Sequence, residues 1–247
     1  MYDKIYEFCK VRNEGTIYEN RYDTPPPRVQ FLIDLIKSEG IEYELDRFFT
    51  KDVTGYNIIL QGTSNRMVVA HHDVNNHKID NANDNSASVI NCIMIKKLRP
   101  NINVVILDGE EVGGYGSQRV SGQIKEGKFG SIEWVLNLEL TGKGGKNFFI
   151  GDYPGKLNNH ILNLFNCPIF KTPFNDSVIF RKNGIDSTVI NPLPILKEGK
   201  SGILYNDNFL DHSILFNCHT NRDSIDSIDI SDMKDFVEEI ILKIIDN

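Results

Sequence analysis

Apolar residues recur along this chain with two periods, one helical and one extended. Residues 25–40, PPPRVQFLIDLIKSEG, put apolar side chains at helical spacing between a proline-rich start and a closing glycine, which predicts a helix. Residues 57–61 (NIILQ) and 67–70 (MVVA) are short apolar runs between turn formers and predict strands. Residues 102–107 (INVVIL), 134–140 (WVLNLEL) and 187–190 (STVI) predict three more strands. Residues 86–98, 156–165, 176–182 and 230–245 predict helices, the last of them amphipathic. Strands separated by helices imply an α/β fold of three layers, a mostly parallel central sheet covered by helices on both faces. No internal repeat, low-complexity tract or linker breaks the chain, so one domain over residues 1–247 is expected. Residues 191–211, rich in Pro, Gly, Asn and Asp, are expected to form a long functional loop.

Composition narrows the function classes. The net charge of -7 argues against nucleic-acid binding, which needs a basic surface. The first residues hold no apolar run bounded by a cleavage site, and no stretch is long enough to span a bilayer. The expectation is a cytoplasmic protein with no membrane partner. Cys9, Cys92, Cys167 and Cys218 are scattered without a C-x-x-C pair and read as free thiols. Cys218 has no base arranged to make it a nucleophile.

In an open α/β sheet, ligands bind beyond the carboxyl ends of the strands. The polar residues following the predicted strands agree in chemistry. The strand at 67–70 runs into His71, His72 and Asp73, where the Asp73 carboxylate can orient the His71 ring. Asp84 stands just before a helix, and its two oxygens can bridge two cations. The strand at 102–107 runs into Glu110 and Glu111, whose side chains diverge, so that one can bind a metal while the other faces a water. Glu139 lies near the end of its strand. Each feature alone has an ordinary explanation: a surface histidine, a solvated acidic pair, an Asn-Asp-Asn turn. Carboxylates gathered on one rim repel each other, and cations remove that repulsion. Among six histidines, His219 is the expected further neutral ligand, with His212 its competitor.

In order along the chain, H-x-D at His71 and Asp73, A-N-D-N-x-A-S at residues 82–88, G-E-E-x-G-x-x-G-S at 109–117, N-L-E at 137–139 and H-T-x-x-D at 219–223 resemble the single-domain co-catalytic zinc aminopeptidases of metallopeptidase family twenty-eight. The likeness spans roughly residues 57 to 245. The intervals from Asp84 to Glu111 and from Glu139 to His219 are too short for the inserted lid or dimerisation domain that related members of the clan carry. The resemblance implies two zinc ions, with cobalt or manganese able to substitute. It implies that His71 and Glu139 bind one ion, Glu111 and His219 the other, and that Asp84 bridges both. Glu110 becomes the general base, and Asp73 the support of His71. The implied reaction is hydrolysis of a peptide or other amide, with an aminopeptidase as the leading reading.

Three departures stand out. The family usually has Asp where this chain has Glu139. Its S-D-H triplet is here Asn175-Asp176-Ser177, so only Asp176 transfers. Residues 191–211 match no family pattern. The alternatives are a glutaminyl-cyclase-like acyltransferase, a deacylase or carboxypeptidase, and, last, a non-enzymatic binding module. Residues 141–146 (TGKGGK) lack the spacing of a phosphate loop, and the acidic residues in 109–117 argue against a dinucleotide loop. Phe174, Tyr205 and Phe209 are further candidates to line a substrate pocket.

Overall fold

The computed structural model describes residues 1–11, 24–50, 54–75, 77–196, 202–205 and 208–247. Helix α1 (Lys4–Phe8) and helix α2 (Pro27–Ser38) precede an antiparallel pair, β1 (Glu44–Phe49) and β2 (Thr54–Leu60). Then follow β3 (Arg66–His71), α3 (Ala87–Leu98), β4 (Asn103–Leu107), α4 (Tyr115–Lys125), β5 (Trp134–Leu138), β6 (Phe148–Gly151), α5 (Lys156–Leu164), β7 (Ile169–Phe170), α6 (Asp176–Lys182) and β8 (Ser187–Pro192). A small hairpin of β9 (Ile203–Tyr205) and β10 (Asn208–Leu210) precedes the closing helical stretch, α7 (Ile230–Phe236) to α8 (Leu242–Asp246), joined by a wider turn at Val237–Ile241.

The eight-stranded sheet has the order β1-β2-β4-β3-β5-β8-β6-β7. Strands β4, β3, β5 and β8 run parallel, as expected from the alternation of strands and helices. The flanks are mixed: β1 to β2, β2 to β4 and β6 to β8 are antiparallel. The central strands are apolar on both faces, and the sheet period divides them. Val68, Ala70, Val104, Ile106, Leu136 and Leu138 join one core with α1, α2, α3, α5, α7 and α8. Their neighbours Met67, Val69, Val105, Leu107 and Val135 face the other, with Val120 of α4 and Phe180 of α6. The three-layer expectation therefore holds. Residues 191–211 are not one open loop: they finish β8 and supply the hairpin, while 197–201 and 206–207 lie outside the described residues.

Several elements had no clear sequence signal. β6, β7 and the hairpin are short, β1 carries Glu44, Asp46 and Arg47 among its residues, and α4 buries glycine and serine. Helix α4 begins behind the Glu110–Glu111 turn, and its approach depends on Gly116. Gly116 donates to the Asp108 carbonyl at 2.9 Å, and its own carbonyl accepts from Asn57 Nδ2 at 3.2 Å. A Cβ on Gly116 would collide with the Asp108 carbonyl and Asn57 Oδ1. Gly116→Ala is expected to cost about 1–3 kcal/mol by overpacking; a urea midpoint equal to that of the parent protein would refute this.

Candidate metal centre

His71 ends β3, the strand flanked by β4 and β5; the segments after those neighbours carry Glu110, Glu111 and Glu139, and Asp84 follows β3 itself. His71 Nδ1 donates to the Asp73 carbonyl at 3.2 Å and lies 3.4 Å from Asp73 Oδ1. This leaves Nε2 facing Asp84 Oδ1 and Glu139 Oε2, both at 3.4 Å. Asp73 also accepts from the backbone N–H of Glu110 at 3.2 Å and of Glu111 at 3.0 Å. One buried carboxylate therefore steadies the histidine and the acidic turn after β4 together.

Asp84 sits in the turn Ala82–Ser86, whose backbone leaves the helical region at Asp84 and Asn85; the Asp84–Asn85 peptide is cis. Asp223 accepts from Asn83 N–H at 2.7 Å and from Asp84 N–H at 3.0 Å, so the H-T-x-x-D segment holds this turn in place. Asn85 Nδ2 donates to Glu139 Oε2 at 2.8 Å, and Asn137 Nδ2 donates to Glu139 Oε1 at 3.0 Å. His219 has φ 62°, a left-handed conformation costing a non-glycine residue about 1–2 kcal/mol. Its Nε2 lies 3.2 Å from Asp84 Oδ2 and 3.1 Å from Glu111 Oε1.

Two ligand-like groups result: His71, Asp84 and Glu139, and Asp84, Glu111 and His219, each with its donor atoms within 4.8 Å of one another. Asp84 belongs to both. A tetrahedral zinc with bonds of roughly 2.0–2.2 Å spaces its ligand atoms by about 3.3–3.6 Å. The N···O separations of 3.1–3.4 Å come close to that spacing. Glu111 Oε1 is buried and turned towards His219 Nε2, as two ligand atoms of one ion would be. The donor set therefore fits a pair of divalent ions.

Charge is concentrated here, and the acid–base balance reflects it. Burial pushes the Glu110 carboxyl up to about 10, with Glu139, Asp176 and Asp73 adding to the effect and His71 opposing it. Burial and Asp84 push Glu111 up to about 7. The hydrogen bond to Asp84 raises His219 to about 9. Burial works against charging His71, but Glu139, Asp73 and Asp84 together hold it well above its ordinary value. Burial likewise raises Asp176, at the start of α6, to about 7.

A cleft of about 670 Å³ opens over this rim, lined by the metal-group side chains and Glu110. Its far wall is Phe149, Phe170, Phe174, Val189 and Leu215, with Lys171, Thr172, Asn175, Asn191 and His212 among them. His212 thus lines the cleft without joining either ligand group. Of the other pocket candidates, Phe174 lines it and Phe209 does not; the Tyr205 side chain lies outside the described residues. The bracing residues Asn85, Asn137 and Asp223 had no role in the sequence reading, although all three stand inside the motifs that carried the resemblance.

A three-layer α/β domain with paired carboxylate–imidazole groups at its sheet rim is the architecture of a metallohydrolase. The profile of peptidase family M28 matches residues 57–244, and the chain belongs to this family. Comparison with curated proteins gives no match. Among solved structures, a glutaminyl cyclase from an Acidobacteriales bacterium has 18% identity and a TM-score of 0.71, over 99% of this chain and 92% of that one. The LapA aminopeptidase of Legionella pneumophila has 14% identity and a TM-score of 0.70, over 99% of this chain and 70% of that one. BSAP, a zinc aminopeptidase from Bacillus subtilis, has 17% identity and a TM-score of 0.60, over 79% of this chain and 50% of that one. No helix among the described residues is long and apolar enough to cross a membrane.

The pKa shifts make stability of the metal-free protein depend on pH. Glu110 and His219 both bind protons more tightly folded than unfolded. The Glu110 penalty grows as pH rises from 4.5 towards 10, and the His219 contribution, full below 6.5, is lost as pH rises through 9. The metal-free Tm is expected to fall between about pH 6 and pH 9, and added zinc to flatten that fall by displacing the protons. A chelator-treated protein whose Tm rises over this range would contradict the assignment.

Proposed function

We propose that this protein is a dizinc aminopeptidase, removing residues from the amino terminus of peptides. The observation that carries the reading is Asp84, whose two oxygens face two different imidazoles, inside a cleft that also holds an acid outside both ligand groups. His71 and Glu139 would hold one ion and Glu111 and His219 the other, with Asp84 shared. When bound, such ions supply a water of lowered pKa, from 15.7 to roughly 7, and an electrophile for the scissile carbonyl.

The chain's own residues do the rest. Glu110 lines the cleft and is the general base: a carboxylate oxygen takes the proton of the attacking water and returns it to the leaving amine. Cations nearby lower its raised pKa and make the ionised form available at neutral pH. Asp73 keeps His71 Nδ1 occupied, so that Nε2 points into the site, and fixes the backbone that carries Glu110. Asn85 and Asn137 orient Glu139, the longer side chain standing at the usual Asp position. The aromatic wall receives the first side chain of the substrate and excludes water.

The test is hydrolysis of an aminoacyl-amide panel by zinc-loaded protein. Glu110→Gln is expected to lower kcat by about 10²–10⁴-fold while keeping the rise in Tm on adding zinc. Asp84→Asn is expected to lose both. Release of pyroglutamate from N-terminal glutamine peptides, without hydrolysis of the panel, would replace this reading with a cyclase.

A further inference from the structure

Between the acidic rim and the aromatic wall lies Asn191, near the carboxyl end of β8. Leu138 of β5 pairs with Ile190, so Asn191 stands beside Glu139. On its other side it pairs with Phe149 of β6. Phe149 in turn meets Phe170 edge to face, at 5.1 Å between ring centroids. Asn191 is 4% exposed, and its side chain opens onto the cleft.

Three asparagines surround Glu139, and they behave differently. Asn85 and Asn137 each donate to one Glu139 oxygen. The Asn191 carboxamide makes no hydrogen bond among the described residues. Its polar atoms are open to the cleft, so both the amide oxygen and the amide N–H groups are available to a ligand bound there. The other polar groups of the wall are less suited. Asn175 donates to Tyr153, Thr172 and the Pro173 carbonyl, and Thr172 is bonded to Tyr153 as well. Lys171 can only donate. His212 has a buried Nδ1 without a hydrogen-bond partner among the described residues, but it packs edge-on against Phe216 on a short helix beyond the hairpin, outside the sheet in which Asn191 stands beside Glu139.

We propose that Asn191 reads the free amino terminus of the substrate: Oδ1 accepts a hydrogen bond from the α-amino group, while the first side chain rests against Phe149 and Phe170. Asn191 stands in the sheet between Glu139 and Phe149, so a substrate that reaches from the metal groups to the aromatic wall crosses it. This rests on the aminopeptidase reading and adds a residue that selects a free amine over an acylated one.

The experiment compares L-leucinol with 4-methylpentan-1-ol, the same skeleton without the amine, binding to zinc-loaded protein by calorimetry. Neither is hydrolysed. Asn191→Leu removes the amide at nearly constant volume, and Asn191→Asp keeps an acceptor oxygen. The parent protein is expected to favour leucinol, Asn191→Leu to shrink that preference by about tenfold, as for one lost hydrogen bond, and Asn191→Asp to retain it. Asn191→Ala serves in the same comparison if the leucine variant does not fold. With an aminoacyl anilide, Asn191→Leu is expected to raise KM by about tenfold with kcat within about threefold, the pattern of lost uniform binding. An amine preference absent from the parent, or unchanged in Asn191→Leu, overturns the inference even where hydrolysis is normal. Loss of the preference in Asn191→Leu, with no aminoacyl substrate hydrolysed by the parent, supports Asn191 and overturns the aminopeptidase reading instead.

Discussion

Electrostatic repulsion among carboxylates is the constraint around which this structure is arranged. Asp73, Asp84, Glu110, Glu111 and Glu139 converge on one rim, and like charges in a space with little water oppose folding. A set of hydrogen bonds holds them there. Backbone amides of the acidic turn grip Asp73, two carboxamides grip Glu139, and Asp223 grips the backbone under Asp84. The metal groups thus take their shape from backbone and carboxamide dipoles, with one further carboxylate, Asp223, gripping the turn from behind. Cations then find the ligand atoms already spaced, at the cost of protons the site has borrowed.

The sheet explains why these residues can meet. β3 lies between β4 and β5, so the loops leaving β3 and its two neighbours open over the same crevice. Parallel strands send all three carboxyl ends the same way. Burial on both faces keeps those ends rigid: Val68 and Ala70 face one core, Met67 and Val69 the other. The buried Arg28 ties α2 to this scaffold, donating to the His72 carbonyl at 3.1 Å and to Ser86 Oγ at 3.1 Å.

Much of this was legible in the residues, for physical reasons. The central strands announce themselves because two-sided burial demands unbroken apolar runs. The convergence of His71, Asp84, Glu111 and Glu139 follows from strand ends sharing a rim, whereas His219 lies between a short helix and the closing helices and was legible only as a further neutral ligand. What stayed hidden depends on pairing across the chain. β6 and β7 are too short to show a period, and α4 buries small residues such as Gly116 and Ser117 where apolar ones would advertise a helix. The bracing by Asn85, Asn137 and Asp223 needs partners whose proximity appears only in three dimensions. Asn191 lay in a stretch rich in loop formers, where a strand end reads as a turn.

The bond from Asp223 to the backbone of Asn83 and Asp84 joins segments separated by some 140 positions. A chain leaving the ribosome can form the early strands long before His219 and Asp223 emerge. Until then the turn holding Asp84 lacks its brace and the second imidazole is missing. The second ligand group is therefore closed only when residues 219–223 join a turn and sheet assembled from far earlier positions.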